Sequence, residues 1–232
     1  MQELTIKINK TTLFIMAALI IGVGLGYGGA TFLGEETQAN PTNTNPAIVD
    51  NNPTQPTPNV SLTKDDHITG AKKPSATLVV YTDFECSFCQ KHHDTINQLL
   101  KNYGDKIAVV YRNFPLTSLH ANASGAAEAA ECAGAQEKFF EYANLLFKNQ
   151  SSLGAAKFKE LAKTAGLNTS KFDSCMSNGD YASKVSADLA SGMNNGVQGT
   201  PGTVLIDKKG NQQLIEGAYP YEQMEVYIKA AI

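Results

Sequence analysis

Residues 77–89 read Thr77-Leu78-Val79-Val80-Tyr81-Thr82-Asp83-Phe84-Glu85-Cys86-Ser87-Phe88-Cys89. The first six are apolar or β-branched almost without a break, the pattern of a strand buried on both faces. Four residues later a Cys-x-x-Cys pair begins. From Cys86 to Tyr103 the positions Cys89, His93, Ile96 and Leu100 recur at helical spacing, and Gly104 closes the helix. The pair therefore stands where a strand gives way to a helix. At that point unpaired backbone N–H groups and the helix dipole favour negative charge. A thiolate is the species that attacks a disulfide, so Cys86 is placed to react, and Cys89 lies one turn on, close enough to close a bridge.

Working outward, Ile107-Ala108-Val109-Val110-Tyr111 is the next β-rich run. Strand, helix and strand in that order predict a βαβ unit with parallel strands. The middle, about 120–196, has helical periodicity over 121–134, 136–148, 155–165, 170–177 and 181–195, punctuated by Gly154, Gly166 and Gly179. It reads as a helical subdomain inserted into the α/β unit. Strands return at 203–207 and 212–216 around the turn Lys208-Lys209-Gly210-Asn211, a hairpin, and a last helix is predicted over 221–230. Gly199-Thr200-Pro201-Gly202 leads into the first of these strands, and a proline at a strand start has a positional role.

Upstream, residues 13–33 are an uncharged, mainly apolar run of 21, roughly 30 Å long as a helix and so the thickness of a bilayer core. Lys7 and Lys10 precede it; Glu35 and Glu36 follow. That asymmetry predicts a cytoplasmic N-terminus (1–12), a single transmembrane anchor (13–33) and an exported remainder. A cleaved signal peptide, with small-residue sites near Gly28-Gly29-Ala30 or Thr37-Gln38-Ala39, exports the chain equally. Residues 34–59, rich in Pro, Asn and Thr, predict a flexible spacer, leaving 60–231 as the folded domain.

Of 232 residues 42% are hydrophobic and 18% charged, and the net charge is −3, which gives no electrostatic ground for a nucleic-acid partner. Four cysteines, Cys86, Cys89, Cys132 and Cys175, are too few for a disulfide-dense mini-protein. Cys86, Cys89, His92 and His93 have the look of zinc ligands, but three of them share one helix, which hinders tetrahedral closure. Gln90 after Cys89 excludes haem attachment. A purely structural bridge within one helical turn would restrain little. Two-electron thiol chemistry without cofactor or metal is the reading left, with His92 and His93 as solvated or packed helix residues.

The segments 81–89, Asn113-Phe114-Pro115-Leu116 with His120, 126–133 with Cys132, and Gly199-Thr200-Pro201-Gly202 occur in this order. Together they resemble the DsbA-like proteins, which have a thioredoxin-like core with an inserted all-helical subdomain, over about residues 60–231. The resemblance implies that Cys86 is the attacking, solvent-facing sulfur and Cys89 its buried resolving partner. It implies a cis Pro201, with the Thr200 backbone pairing to substrate beside Cys86. It also implies a structural bridge between Cys132 and Cys175, worth roughly 4 kcal/mol by loop entropy; two buried free thiols are the alternative. Function follows as an expectation: transfer of the Cys86–Cys89 disulfide to exported proteins, with a quinone-linked membrane oxidase of the DsbB or VKOR type restoring it. Reductase or isomerase action on the same fold, or a client- or metal-binding module without turnover, are the rivals.

Two departures bear on strength. Many such proteins carry Pro-His between the cysteines where this chain has Ser87-Phe88, which removes one donor to the thiolate and predicts a less oxidising pair. Many thioredoxin-fold proteins also place an acid six residues before the first cysteine; here that position is Val80, so the proton of Cys89 must move by water or another group. Glu85 and Lys91 read as surface residues.

Overall fold

The computed structural model describes residues 57–232; the anchor or signal peptide (13–33), the cytoplasmic N-terminus (1–12) and nearly all of the spacer (34–59) lie outside the described residues. Among the described residues no helix is long and apolar enough to cross a membrane.

Five strands form one mixed sheet: β1 (His67–Gly70), β2 (Ala76–Thr82), β3 (Ile107–Asn113), β4 (Gly202–Ile206) and β5 (Gln212–Glu216), in spatial order β1-β3-β2-β4-β5. The β2–β3 pair is parallel, with Val80 opposite Tyr111; the other three pairings are antiparallel. Helix α1 (Ser87–Tyr103) links β2 to β3. Five helices then separate β3 from β4: α2 (Ala123–Gly134), α3 (Phe139–Lys148), α4 (Ala155–Thr164), α5 (Thr169–Asn178) and α6 (Ala182–Asn194). Helix α7 (Tyr221–Ala231) closes the chain.

Every residue of β2 and β3 is buried, as expected of strands covered on both faces. Side chains alternate between two cores. Leu78, Val80, Ile107, Val109 and Tyr111 face a large core with Cys89, Ile96 and Leu99 of α1, Met224 and Ile228 of α7, and most of the insert. Val79, Tyr81, Val110 and Val204 face a smaller one with Phe114 and Val197, against which Leu189 of α6 packs. The insert is thus not a separate appendage, since its last helix supplies the second face of the sheet. Gly192 permits that approach: a Cβ there would stand 2.6 Å from the Phe114 ring and 2.9 Å from Tyr81. Gly179, at φ 65°, ends α5 in the left-handed region that a side chain disfavours.

Buried charged and polar groups fasten the insert and the segment before β1 to the sheet, each with a partner as burial requires. Arg112 (β3) forks onto both carboxylate oxygens of Asp66, 2.8 Å each. Asn113 donates to Glu131 (α2) at 2.6 Å and Asp188 (α6) at 3.0 Å, and Lys184 reaches Asp188 at 2.7 Å. His67 of β1 stacks on Phe139 and meets Glu131 at 2.8 Å. The spacer ends in contact with the domain, for Asn59 N–H donates to Asn195 and the Val60 backbone exchanges hydrogen bonds with Gln212.

Candidate active site

Cys86 is the residue before the first turn of α1, in extended conformation (φ −77°, ψ 120°) and with no side chain capping the helix end. Its sulfur therefore stands at an uncapped helix end. Burial alone would favour the neutral thiol. A hydrogen bond from the Cys89 thiol outweighs it, helped by the backbone N–H groups of Cys89 and Phe88 and by the Thr200 side chain, and the Cys86 thiol falls to about 5. Cys89 moves the opposite way: burial and the neighbouring thiolate push it far above the ordinary thiol range. One sulfur is anionic at neutral pH while its partner keeps its proton. The two are free thiols in this structure.

The Thr200–Pro201 peptide bond is cis. The Thr200 carbonyl lies 3.5 Å from the Cys86 sulfur. The Thr200 hydroxyl is buried and has no conventional hydrogen-bond partner among the described residues. Its polarity beside the sulfurs lowers the pKa of both cysteines. Cys86, expected to face solvent, is only 7% exposed against 1% for Cys89. The Thr200 segment lies against it, so a partner sulfur has a narrow approach. Phe88 projects from the site, 58% exposed, with the Lys91 ammonium 5.4 Å from its ring centre.

Neither histidine of α1 reaches the sulfurs. His92 is buried with Nε2 2.9 Å from the Thr203 hydroxyl, and burial lowers it to about 4, keeping it neutral. His93 pairs with Tyr111 and Asn144 at 2.7 Å each. Among the described residues no group of three or more His, Cys, Asp or Glu side chains is arranged to hold a metal. Val80 packs in the large core. Cys132 and Cys175 are joined by a disulfide, Cα atoms 5.9 Å apart, tying α2 to α5.

Three residues with no assigned part in the sequence reading prove to hold the site. Gln150, between α3 and α4, donates to the carbonyls of Phe84 and Cys86, 2.9 Å each. Glu85, read as a surface residue, accepts from the backbone and side chain of Asn122 at 2.6 and 2.9 Å. Asp83 is wholly buried: its N–H lies 3.5 Å from the Cys89 sulfur, and its carboxylate meets His120 at 2.9 Å. Asp83 sits in the loop between the strand and the cysteines, and that position was the available signal. Gln150 offered none, 64 residues from Cys86.

The family described as Thioredoxin matches residues 62–230 of this chain. Over 166 residues the chain is 33% identical to a Salinispora tropica protein named Na(+)/H(+) antiporter NhaA 3, covering 72% of this chain and 24% of that protein. It spans about a quarter or less of the curated relatives it matches. Among solved structures it is similar to a periplasmic thioredoxin-like protein from Salmonella enterica serovar Typhimurium, with TM-score 0.58, 24% identity, and 72% of this chain and 90% of that one covered. It is also similar to the thiol-disulfide exchange protein alpha-DsbA2 from Wolbachia pipientis, with TM-score 0.62, 20% identity, and 70% and 85% covered. At these identities the likeness is one of fold.

Proposed function

From the premise that the chain belongs to the thioredoxin family, matched over residues 62–230, we propose that it is a DsbA-like protein thiol–disulfide oxidoreductase. It passes the Cys86–Cys89 disulfide to protein substrates. The carrying observation is the Cys86 sulfur at the start of α1, beside cis-Pro201, with its thiolate favoured down to about 5.

The exchange balances as two displacements. A substrate thiolate attacks Cys86 of the oxidised pair; a substrate–Cys86 disulfide forms, the Cys86–Cys89 bond breaks, and Cys89 leaves and takes up a proton. A second substrate thiolate then attacks its own neighbour in the mixed disulfide, and Cys86 leaves as thiolate. Two electrons pass from the substrate dithiol to the cysteine pair. A leaving group that is stable as an anion departs readily, which favours oxidation of the substrate. The Thr200 backbone, beside Cys86, would pair with the substrate chain in the mixed disulfide, and Phe88 offers an apolar contact at the rim.

A membrane oxidase of the DsbB or VKOR type, linked to quinone, would re-form the bond. The domain works outside the cytoplasm, held by the segment 13–33 and spaced by 34–59. The charge asymmetry of Lys7 and Lys10 against Glu35 and Glu36 supports this placement, as does the Cys132–Cys175 bridge, a kind of bond that persists in oxidising compartments. The antiport named for the curated relatives belongs to much longer proteins, and no transport step is assigned to this domain.

The test is oxidation of a reduced, unfolded dithiol protein by the oxidised full chain. The native protein should restore the substrate's disulfides, whereas neither Cys86→Ser nor Cys89→Ala, which lack the bridge to give, should do so. Undiminished oxidation by Cys86→Ser would refute the reading.

A further inference from the structure

Asp83 touches both members of the cysteine pair through its backbone. Cys86 N–H donates to the Asp83 carbonyl at 3.2 Å, and Asp83 N–H lies 3.5 Å from the Cys89 sulfur. Its side chain is fully buried. One carboxylate oxygen accepts from Glu85 N–H at 2.7 Å. The other accepts from Leu116 N–H at 2.7 Å and meets His120 Nδ1 at 2.9 Å. Two backbone dipoles do not cancel a full charge. A buried carboxylate three residues from a forming thiolate disfavours that thiolate unless a cation stands with it.

His120 is placed to be that cation when protonated. It lies beyond β3 with its side chain 25% exposed, so it exchanges protons with water while bonded to Asp83. The charged groups acting on it are Asp83, Cys86 and Glu85; all three raise its pKa, Asp83 most, against a smaller opposing effect of burial. Glu85 is held in turn by Asn122. The imidazolium and the Cys86 thiolate therefore favour each other.

The geometry points to His120 as a positioning residue that neutralises Asp83 and so sets how readily Cys86 becomes and remains a thiolate, a role that rests on Cys86 being the attacking sulfur. Ser87-Phe88 brings no cation to the site, and His120, 34 residues downstream of Cys86, brings its imidazole against Asp83. When Cys86 leaves the mixed disulfide its new charge meets a site already balanced. The benefit lasts while His120 is protonated and fades as pH rises through its raised value.

The test follows thiolate absorbance near 240 nm against pH in the reduced full chain, together with equilibration against glutathione. His120→Gln should raise the Cys86 midpoint by about one pH unit. The equilibrium should then shift about tenfold towards the disulfide, a potential about 30 mV more negative. His120→Lys, which keeps the charge, should stay near the native midpoint. Asp83→Asn, which removes the opposing charge, should not raise it, whereas a merely structural role would move the His120→Gln and Asp83→Asn variants the same way. An unchanged midpoint in His120→Gln, or an equal rise in both, would overturn the assignment. A native protein whose Cys86 titrates like an ordinary thiol would overturn the oxidoreductase reading itself, which is a separable failure.

Discussion

Cys86→Ser in the reduced protein should remove a share of folding stability that depends on pH. An unfolded cysteine titrates near 8.5, while Cys86 in the fold titrates at about 5, chiefly through the Cys89 hydrogen bond. At pH 7 the folded chain has lost this proton and the unfolded chain has kept it. Two pH units separate pH 7 from the folded value, and at about 1.36 kcal/mol per unit the difference is about 3 kcal/mol. The sign follows from a lowered folded pKa: the contribution is complete above the unfolded value and is lost as pH falls through about 5. Urea unfolding of the reduced native protein and of Cys86→Ser, each with Cys132–Cys175 intact, measures it between pH 4 and 8. The native advantage should grow from near zero at pH 4 to about 3 kcal/mol at pH 7. Carboxylates and His92 are common to both proteins and cancel in the difference. Forming the Cys86–Cys89 bond removes the thiolate too, so the oxidised protein should be the less stable form at neutral pH. A difference that stays constant across this range would refute the reasoning.

Cys132→Ala with Cys175→Ala opens a loop of 43 residues and should lower stability by roughly 4 kcal/mol in urea unfolding, leaving the Cys86 midpoint in place. Gln150→Ala removes the Phe84 carbonyl's donor and one of two donors to the Cys86 carbonyl, since Gln90 N–H also serves the latter; it should cost about 1–2 kcal/mol and speed amide hydrogen exchange over residues 84–90. Gly192→Ala drives a methyl group into Phe114 and Tyr81 and should cost about 1–3 kcal/mol in thermal unfolding.

The frame of the fold was legible because its signals are local. The apolar run 77–82 and the alternation of helical residues about Gly154, Gly166 and Gly179 placed β2 and α2 to α6 within a few residues of where they lie. Strand β1 escaped, being four residues long with alternating burial and held only by antiparallel pairing to β3, about 40 residues away in sequence. The parallel β2–β3 unit was read from its order, but the mixed character of the sheet depends on β1 and on the return of β4 beside β2.

The same division runs through the site. Cys86, Cys89, Thr200 and Pro201 stood out by residue type and position. The neighbours that tune them did not. Gln150, Glu85 with Asn122, and Asp83 with His120 work through contacts spanning 64, 37 and 37 residues, and a polar residue on a helical connection carries no mark of the carbonyl it reaches. The position six residues before Cys86 holds Val80, packed in the core; the acid that touches the pair's backbone is three residues before Cys86. The exposure of Cys86 was overestimated because the sequence gives no measure of how closely the Thr200 segment lies against the sulfur.

The reduction potential of the Cys86–Cys89 couple, obtained by equilibrating the full chain with glutathione buffers, bears most directly on whether the anionic sulfur makes this protein an oxidant. A thiolate held at about 5 stabilises the reduced form and predicts a potential at or above about −200 mV. A value near −270 mV, that of a cytosolic reductant, would contradict the account.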